Sequence, residues 1–234
     1  MRRRELLTGA AAAGALARLG AAETSAGAGR LSAPAKGRIP VAFVMGPGAT
    51  MIDFAGPWEV FQDVMVPERG PSHDEDQMPF QLYTVAEKPQ TLRASGGMQV
   101  VPDHTVADAP QPRVIVIPAH QGSDRLVEWI GKAAAAADIT MSVCTGAFAL
   151  ARTGLLKDKT ATTHHDFLDD FARRFPDVTV KRGVRFVEHE RVATAGGLSS
   201  GIDLALRVVE RYFGRPTAQR TAAYMEYESR GWMV

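Results

Sequence analysis

The chain has 234 residues, with 27 basic against 26 acidic side chains and a net charge of +1 at pH 7. With no basic block beyond the first residues, that balance gives no electrostatic reason to expect nucleic acid or an anionic membrane as partner. A single cysteine, Cys144, excludes an internal disulfide and leaves burial or reactivity as the reason for its presence.

The opening MRRRELLTGAAAAGALARLGAAETSAGAGR, residues 1–30, combines arginines, a weakly apolar Ala/Gly/Leu run and small residues suited to signal cleavage. Arg3 and Arg4, followed by Glu5, Leu6 and Leu7, resemble a twin-arginine export signal, so a periplasmic or secreted location is expected. Arg18 interrupts the apolar run, which is too short for a membrane span of about 20 residues. Residues 1–30 are therefore set apart as a leader, and 38–230 are expected to form one domain with enough length for a good core.

Residues 40–45, PVAFVM, form a continuous apolar run ended by Gly46-Pro47-Gly48, as expected of a strand buried on both faces. The segment ATMIDFAGPWEVFQDVM follows, and its helical reading starts near Pro57, since proline suits a first helical turn. That start leaves Asp53 on the strand-to-helix loop and Glu59 on the helix as a surface or interface group. PERGPSHDEDQMP reads as a solvated loop, because His73, Asp74, Glu75 and Asp76 lack a regular metal-ligand spacing.

FQLYTVAE reads as a strand, and GGMQVVPDHTVADAP as a turn, a short strand and a loop with a structural His104. RVIVIPAHQG, residues 113–122, is a second apolar strand ending in a loop, and SDRLVEWIGKAAAAA is a helix capped by Ser123. ITMSVC then gives a strand, TGAFALARTGLL a helix and KTATTHH a short strand with its loop. DFLDDFARRF is amphipathic, with Phe167, Leu168, Phe171 and Phe175 on nearby faces. VTVKRGVRFVEHERVATAGG alternates like a hairpin with His189 in a solvated tip, and two helices separated by Gly214 and Pro216 close the chain.

Strands alternating with helices predict an α/β fold, a mainly parallel sheet with helices on both faces. Ligands of such sheets collect beyond the carboxyl ends of the strands, at a switch in strand order. Three loops fall there: Asp53 after the first strand, Pro118 to Gly122 after the central one, and Cys144 after the next. A thiol where a strand turns sharply into a helix lies near unpaired N–H groups that favour thiolate, so its pKa is expected below about 8.5. The small neighbours Ser142, Thr145, Gly146 and Ala147 suit a tight turn, and the junction resembles the nucleophile elbow of α/β hydrolases.

IDFAGPWEVF (52–61), VVPDHTVADAP (100–110), VCTGAFALARTGLLKDKTATTHH (143–165), TAGGLSSGIDLAL (194–206) and AQRTAAYMEY (218–227) together resemble the DJ-1/PfpI superfamily. Its fold is flavodoxin-like and related to class I glutamine amidotransferases. Within it the likeness is closest to isonitrile hydratases and to the sensor domains of AraC-type regulators. The resemblance implies Cys144 as nucleophile in a strand-Cys-helix elbow, Thr145 as its hydroxyl neighbour, Asp53 as the facing acid and His164 near the site and dimer interface. His165 stands where an aromatic residue is common, and Thr145 stands where proteases and deglycase-like members have histidine, which favours the hydratase branch.

One departure stands out: Pro118-Ala119-His120-Gln121-Gly122 replaces a Gly-Gly pair whose backbone helps bind developing negative charge. Ala119, His120, Gln121, Gly122 and His164 are therefore the candidate substrate-binding residues, with His120 able to act as donor or pocket filler. The expected reaction converts an isonitrile and water to an N-substituted formamide without metal or organic cofactor. Two other readings remain open, a non-catalytic small-molecule sensor or another Cys-dependent hydrolase or glyoxalase of the same superfamily; separately, the resemblance implies that the thiol can oxidise to a sulfinic state if Cys144 is exposed and Asp53 donates a hydrogen bond to it. The 20 residues after Gly214 are too few for the regulators' helix-turn-helix module, and a homodimer is expected from the likeness.

Overall fold

The computed structural model describes residues 23–24, 28–70 and 77–233. The rest of the leader and the His73–Asp76 loop lie outside the described residues. Four strands form the centre of the sheet: β2 (Ile39–Met45), β3 (Phe80–Ala86), β7 (Val114–Ile117) and β8 (Ile139–Val143). Its flanks are β6 (His104–Thr105) on one side, and β12 (Val192–Ala195), β11 (Phe186–Glu188) and β1 (Glu23–Thr24) on the other. The order is β1-β11-β12-β8-β7-β2-β3-β6, and every neighbouring pair is parallel except β11 with β12. Two short ribbons stand apart, β4 (Leu92–Arg93) with β5 (Gln99–Val100), and β9 (Thr160–Ala161) with β10 (Thr179–Val180).

The apolar runs read as doubly buried strands because their alternate residues enter different cores. Val41, Phe43 and Met45 of β2, with Val114 and Val116 of β7, face α1 (Met51–Gln62) and α5 (Ser200–Phe213). Ile115 and Ile117 of β7 face the opposite layer, made by α2 (Asp124–Ala134), α3 (Gly146–Arg152) and α4 (Leu168–Arg174). α6 (Arg215–Tyr224) packs against α5 and completes the first layer. This is the flavodoxin-like α/β fold. The chain leaves β2 for β3 on one side and later returns to β7 on the other, so the switch in strand order falls at β2 and β7. Among the described residues, no helix is long and apolar enough to cross a membrane.

Several local expectations change. α1 begins at Met51 rather than near Pro57, which moves Asp53 from the loop into the first helical turn. Sequence-distant groups make this start favourable: Met51 N–H donates to Ser95 Oγ at 2.8 Å, and Thr50 N–H to the Ala119 carbonyl at 2.8 Å. Ser95→Ala is accordingly expected to lower stability by about 1 kcal/mol, read as a small fall in the urea unfolding midpoint. In the predicted hairpin, only β11 and β12 pair with each other, since Thr179–Val180 pairs with β9 instead. His189 is not a free tip residue, because its Nε2 lies 2.8 Å from the Thr160 carbonyl. His104 lies edge-on to Tyr83 with ring centroids 5.4 Å apart.

The packed region starts ahead of residue 38. Leu31 N–H donates to the Arg211 carbonyl at 2.8 Å, and Arg211 Nε to the Gly29 carbonyl at 2.8 Å. Arg113 and Arg69 hold the carbonyls of Ser32 and Pro34, each at 2.6 Å. Residues 29–34 are thereby strapped to the domain through their backbone.

Candidate active site

β8 ends at Val143, and the next residue turns the chain into α3. Cys144 has φ of 57°, a left-handed conformation rarely adopted by a residue with a side chain. Neighbouring groups fix it there: its N–H donates to the Gly196 carbonyl at 2.9 Å, and its carbonyl accepts the buried Thr163 hydroxyl at 2.8 Å. The turn is tight enough that a Cβ on Gly146 would lie 2.1 Å from the Ile117 carbonyl oxygen and 2.8 Å from that of Pro118. Only glycine lets α3 start against the end of β7, and that contact aims the thiol at the switch point.

Asp53 is fully buried in the first turn of α1. Its Oδ2 accepts the Ala119 N–H at 3.1 Å, while Oδ1 has no nitrogen or oxygen donor among the described residues. Burial pushes its carboxyl up to about 6, against the lowering influence of the Ala119 N–H and of the Cys144 thiol that donates toward it. The thiol is pushed up to about 11, first by burial and then by the Asp53 charge. Backbone N–H groups of Thr145 and Leu198 oppose this and stabilise thiolate. The elbow therefore supplies the donors expected of it, yet burial beside a carboxylate outweighs them. Both shifts favour the protonated form, thiol over thiolate at neutral pH, and the two groups titrate as a coupled pair.

A cavity of about 260 Å³ opens beside the elbow, lined by Thr163, His164, Leu168, Arg185, Leu198 and Ser200 among others. A larger one, of about 690 Å³, lies along the carboxy-terminal segment and includes none of the candidate site residues. His164 borders the smaller cavity, with its Nδ1 accepting the Asp166 N–H at 3.3 Å and its ring 4.4 Å from that of His165. His164, His165 and Asp166 together could hold a cation, though His165 and Asp166 stand in solvent. Glu59 is exposed on α1.

The PAHQG loop divides in two. Ala119 belongs to the site, but both of its backbone groups are engaged, the N–H by Asp53 and the carbonyl by Thr50. It holds the acid rather than offering a donor to a developing anion. His120 folds back on its own loop, with Nδ1 at 2.8 Å from the Pro118 carbonyl, its ring over Gly46 and its Nε2 buried without a partner among the described residues. Burial lowers its pKa and favours the neutral ring. Gln121 N–H donates to the Pro47 carbonyl at 2.9 Å, which turns the chain away from the thiol. Gln121 and Gly122 then line a separate cavity of about 270 Å³ with Met45, Glu87 and Leu126.

The structure thus brings Cys144, Thr145, Asp53 and Ala119 together, places His164 at the adjoining cavity, and sets Gln121 and Gly122 elsewhere. It adds Leu198, whose N–H faces the sulfur from a residue with φ of 52°. The Gly196-Gly197 pair just before α5 is the sequence signal for such a loop, because glycines permit close backbone approach.

Residues 40–211 match the sequence pattern of the DJ-1/PfpI family. The chain belongs to the DJ-1/PfpI family. Among its relatives, the isonitrile hydratase of Pseudomonas putida is 31% identical over 81% of this chain and 78% of its own. The HTH-type transcriptional regulator GbdR of Pseudomonas aeruginosa is 25% identical over 64% of this chain, a match spanning 42% of the regulator. A ThiJ/PfpI protein from Pseudomonas syringae shares the DJ-1/PfpI fold with a TM-score of 0.71 at 23% identity, over 84% of this chain and 78% of its own.

Proposed function

We propose that this protein hydrates isonitriles, adding water to R–N≡C to give the N-substituted formamide R–NH–CHO. The observation that carries the reading is the buried Cys144 thiol hydrogen-bonded to the buried Asp53 carboxyl at the carboxyl edge of the sheet. The likeness to a hydratase over most of both chains supports it. An isonitrile carbon accepts a nucleophile readily only if it is protonated as the bond forms, and this pair contains both nucleophile and proton.

The thiol passes its proton to Asp53 as sulfur attacks the terminal carbon, and Asp53 delivers that proton to the same carbon. The product is a thioimidate, R–N=CH–S–Cys144. Asp53, again a carboxylate, takes a proton from water as the oxygen adds to this carbon, and the nitrogen becomes protonated. Collapse of the tetrahedral adduct expels sulfur, which recovers a proton, and releases the formamide. Atoms balance as isonitrile plus water, and each proton is carried by the pair or by water. Thr145 stands beside the sulfur, with no hydrogen bond to its hydroxyl among the described residues, as a further proton carrier. The cavity at His164 receives the R group.

In this reading the enzyme is a homodimer, and Arg3-Arg4 directs its export. Incubation with an alkyl isonitrile in ¹⁸O-water should yield formamide carrying one ¹⁸O, detected by mass spectrometry. Formamide formed no faster than with Cys144→Ala would overturn the reading. The regulator likeness favours a binding-only alternative, for which the isonitrile would be bound and recovered unchanged.

A further inference from the structure

The segment after α6 returns to the site from outside. Trp232 is fully buried in the same core cluster as Leu204 and Val208 of α5, which packs the tail there, and within the tail its indole N–H donates to the Ser229 carbonyl at 3.1 Å. Three tail residues then meet one buried carboxylate and the loop beside it. Ser229 Oγ donates to Asp203 Oδ1 at 3.0 Å, and Gly231 passes so close that a Cβ would lie 2.9 Å from Asp203 Oδ2. Tyr227 OH reaches the Ser199 carbonyl at 3.5 Å.

Asp203 is fully buried, and its opposite partner is Arg185, whose Nε lies 2.5 Å from Oδ2. Arg185 Nη2 donates to Ser199 Oγ at 3.3 Å, and the Arg185 carbonyl accepts the Gly196 N–H at 2.9 Å. Arg185 therefore grips both ends of the loop Gly196–Ser199. That loop carries the Gly196 carbonyl bonded to the Cys144 N–H and the left-handed Leu198 whose N–H faces the sulfur. A left-handed residue with a side chain persists only when its surroundings hold it.

We infer that the carboxy-terminal tail, acting through Asp203 and Arg185, sets the position of the Leu198 N–H over the Cys144 sulfur, making Arg185 a positioning residue of the nucleophile. A paired, half-buried guanidinium acts here through its fixed fork of donors rather than through free charge. The inference rests on Cys144 as the reactive group but not on an isonitrile as its substrate.

The test uses iodoacetamide alkylation of this sole thiol in the full-length protein, at fixed pH between 8 and 9.5, with circular dichroism to verify folding. Arg185→Ala should slow alkylation about tenfold, the size of one unit in thiol pKa. Arg185→Lys, which keeps the ion pair but not the fork, should recover part of that loss. Ser229→Ala leaves the Arg185–Asp203 pair in place and should slow alkylation about twofold to threefold, so it decides the matter if Arg185→Ala fails to fold. A purely structural role would lower melting temperature alone. Wild-type alkylation rates in a folded Arg185→Ala, or in Ser229→Ala where only that variant folds, would overturn the inference. Because alkylation needs no isonitrile, failure here is distinguishable from failure of the hydratase reading.

Discussion

Cys144→Gly is expected to lose turnover completely and yet to melt about 2–4 °C above Cys144→Ala, reversing the usual order of these two residues. Both variants remove the sulfur, so they lose the same nucleophile and nearly the same buried contact. They differ in backbone. At φ of 57° a side chain costs roughly 1–2 kcal/mol that glycine avoids, whereas glycine elsewhere is the less stable choice by about 0.5–1 kcal/mol. Differential scanning calorimetry of the two variants beside wild type measures this. An alanine variant as stable as the glycine variant would show that the elbow is not strained, and turnover surviving in either would remove Cys144 from the chemistry.

Asp53→Asn should move two rates in opposite directions. Turnover should fall about 10²–10⁴-fold, because asparagine cannot carry the proton from sulfur to substrate. Alkylation of the thiol near neutrality should accelerate, because the charge that helps hold its pKa at about 11 is gone. Stability follows from linkage. The carboxyl titrates near 6 in the folded protein against 3.8 unperturbed, so the native state binds the extra proton between these values. Its contribution is fully present below the unfolded pKa and is lost as pH rises through about 6. The asparagine variant should keep that stability at pH 7, gaining on the order of 2–3 kcal/mol there relative to wild type and nothing near pH 3. Urea midpoints across pH 3–8 check the sign. A wild-type pH profile in the variant would mean that Asp53 titrates normally.

Much of the site was legible because it depends on local pattern. PVAFVM, RVIVI and ITMSV read as doubly buried strands from their unbroken apolar character, and their carboxyl ends named Asp53, the PAHQG loop and Cys144 as neighbours. The departure of PAHQG from a Gly-Gly pair was also visible in the letters. Its consequence was not, because the direction of the Ala119 N–H depends on where Asp53 lies. That in turn depends on α1 starting at Met51, stabilised by Ser95, which is 44 residues away in the chain.

The thiol's protonation shows the same division. An elbow cysteine with N–H groups near its sulfur is readable from VCTGAF, and those groups do lower its pKa. Burial and the facing carboxylate are tertiary terms of opposite sign, and they are larger.

By itself the sequence determined the family, the α/β layering and the identity of the candidate nucleophile, since periodicity, turn residues and motif spacing are local properties of the chain. Only the tertiary structure decided which way the protons lie, that Ala119 holds Asp53, that Gln121 and Gly122 leave the site, and that Leu198 enters it under Arg185. Those outcomes depend on burial and on hydrogen bonds between residues far apart in sequence, whose geometry exists only once the sheet edge and the carboxy-terminal tail have come together.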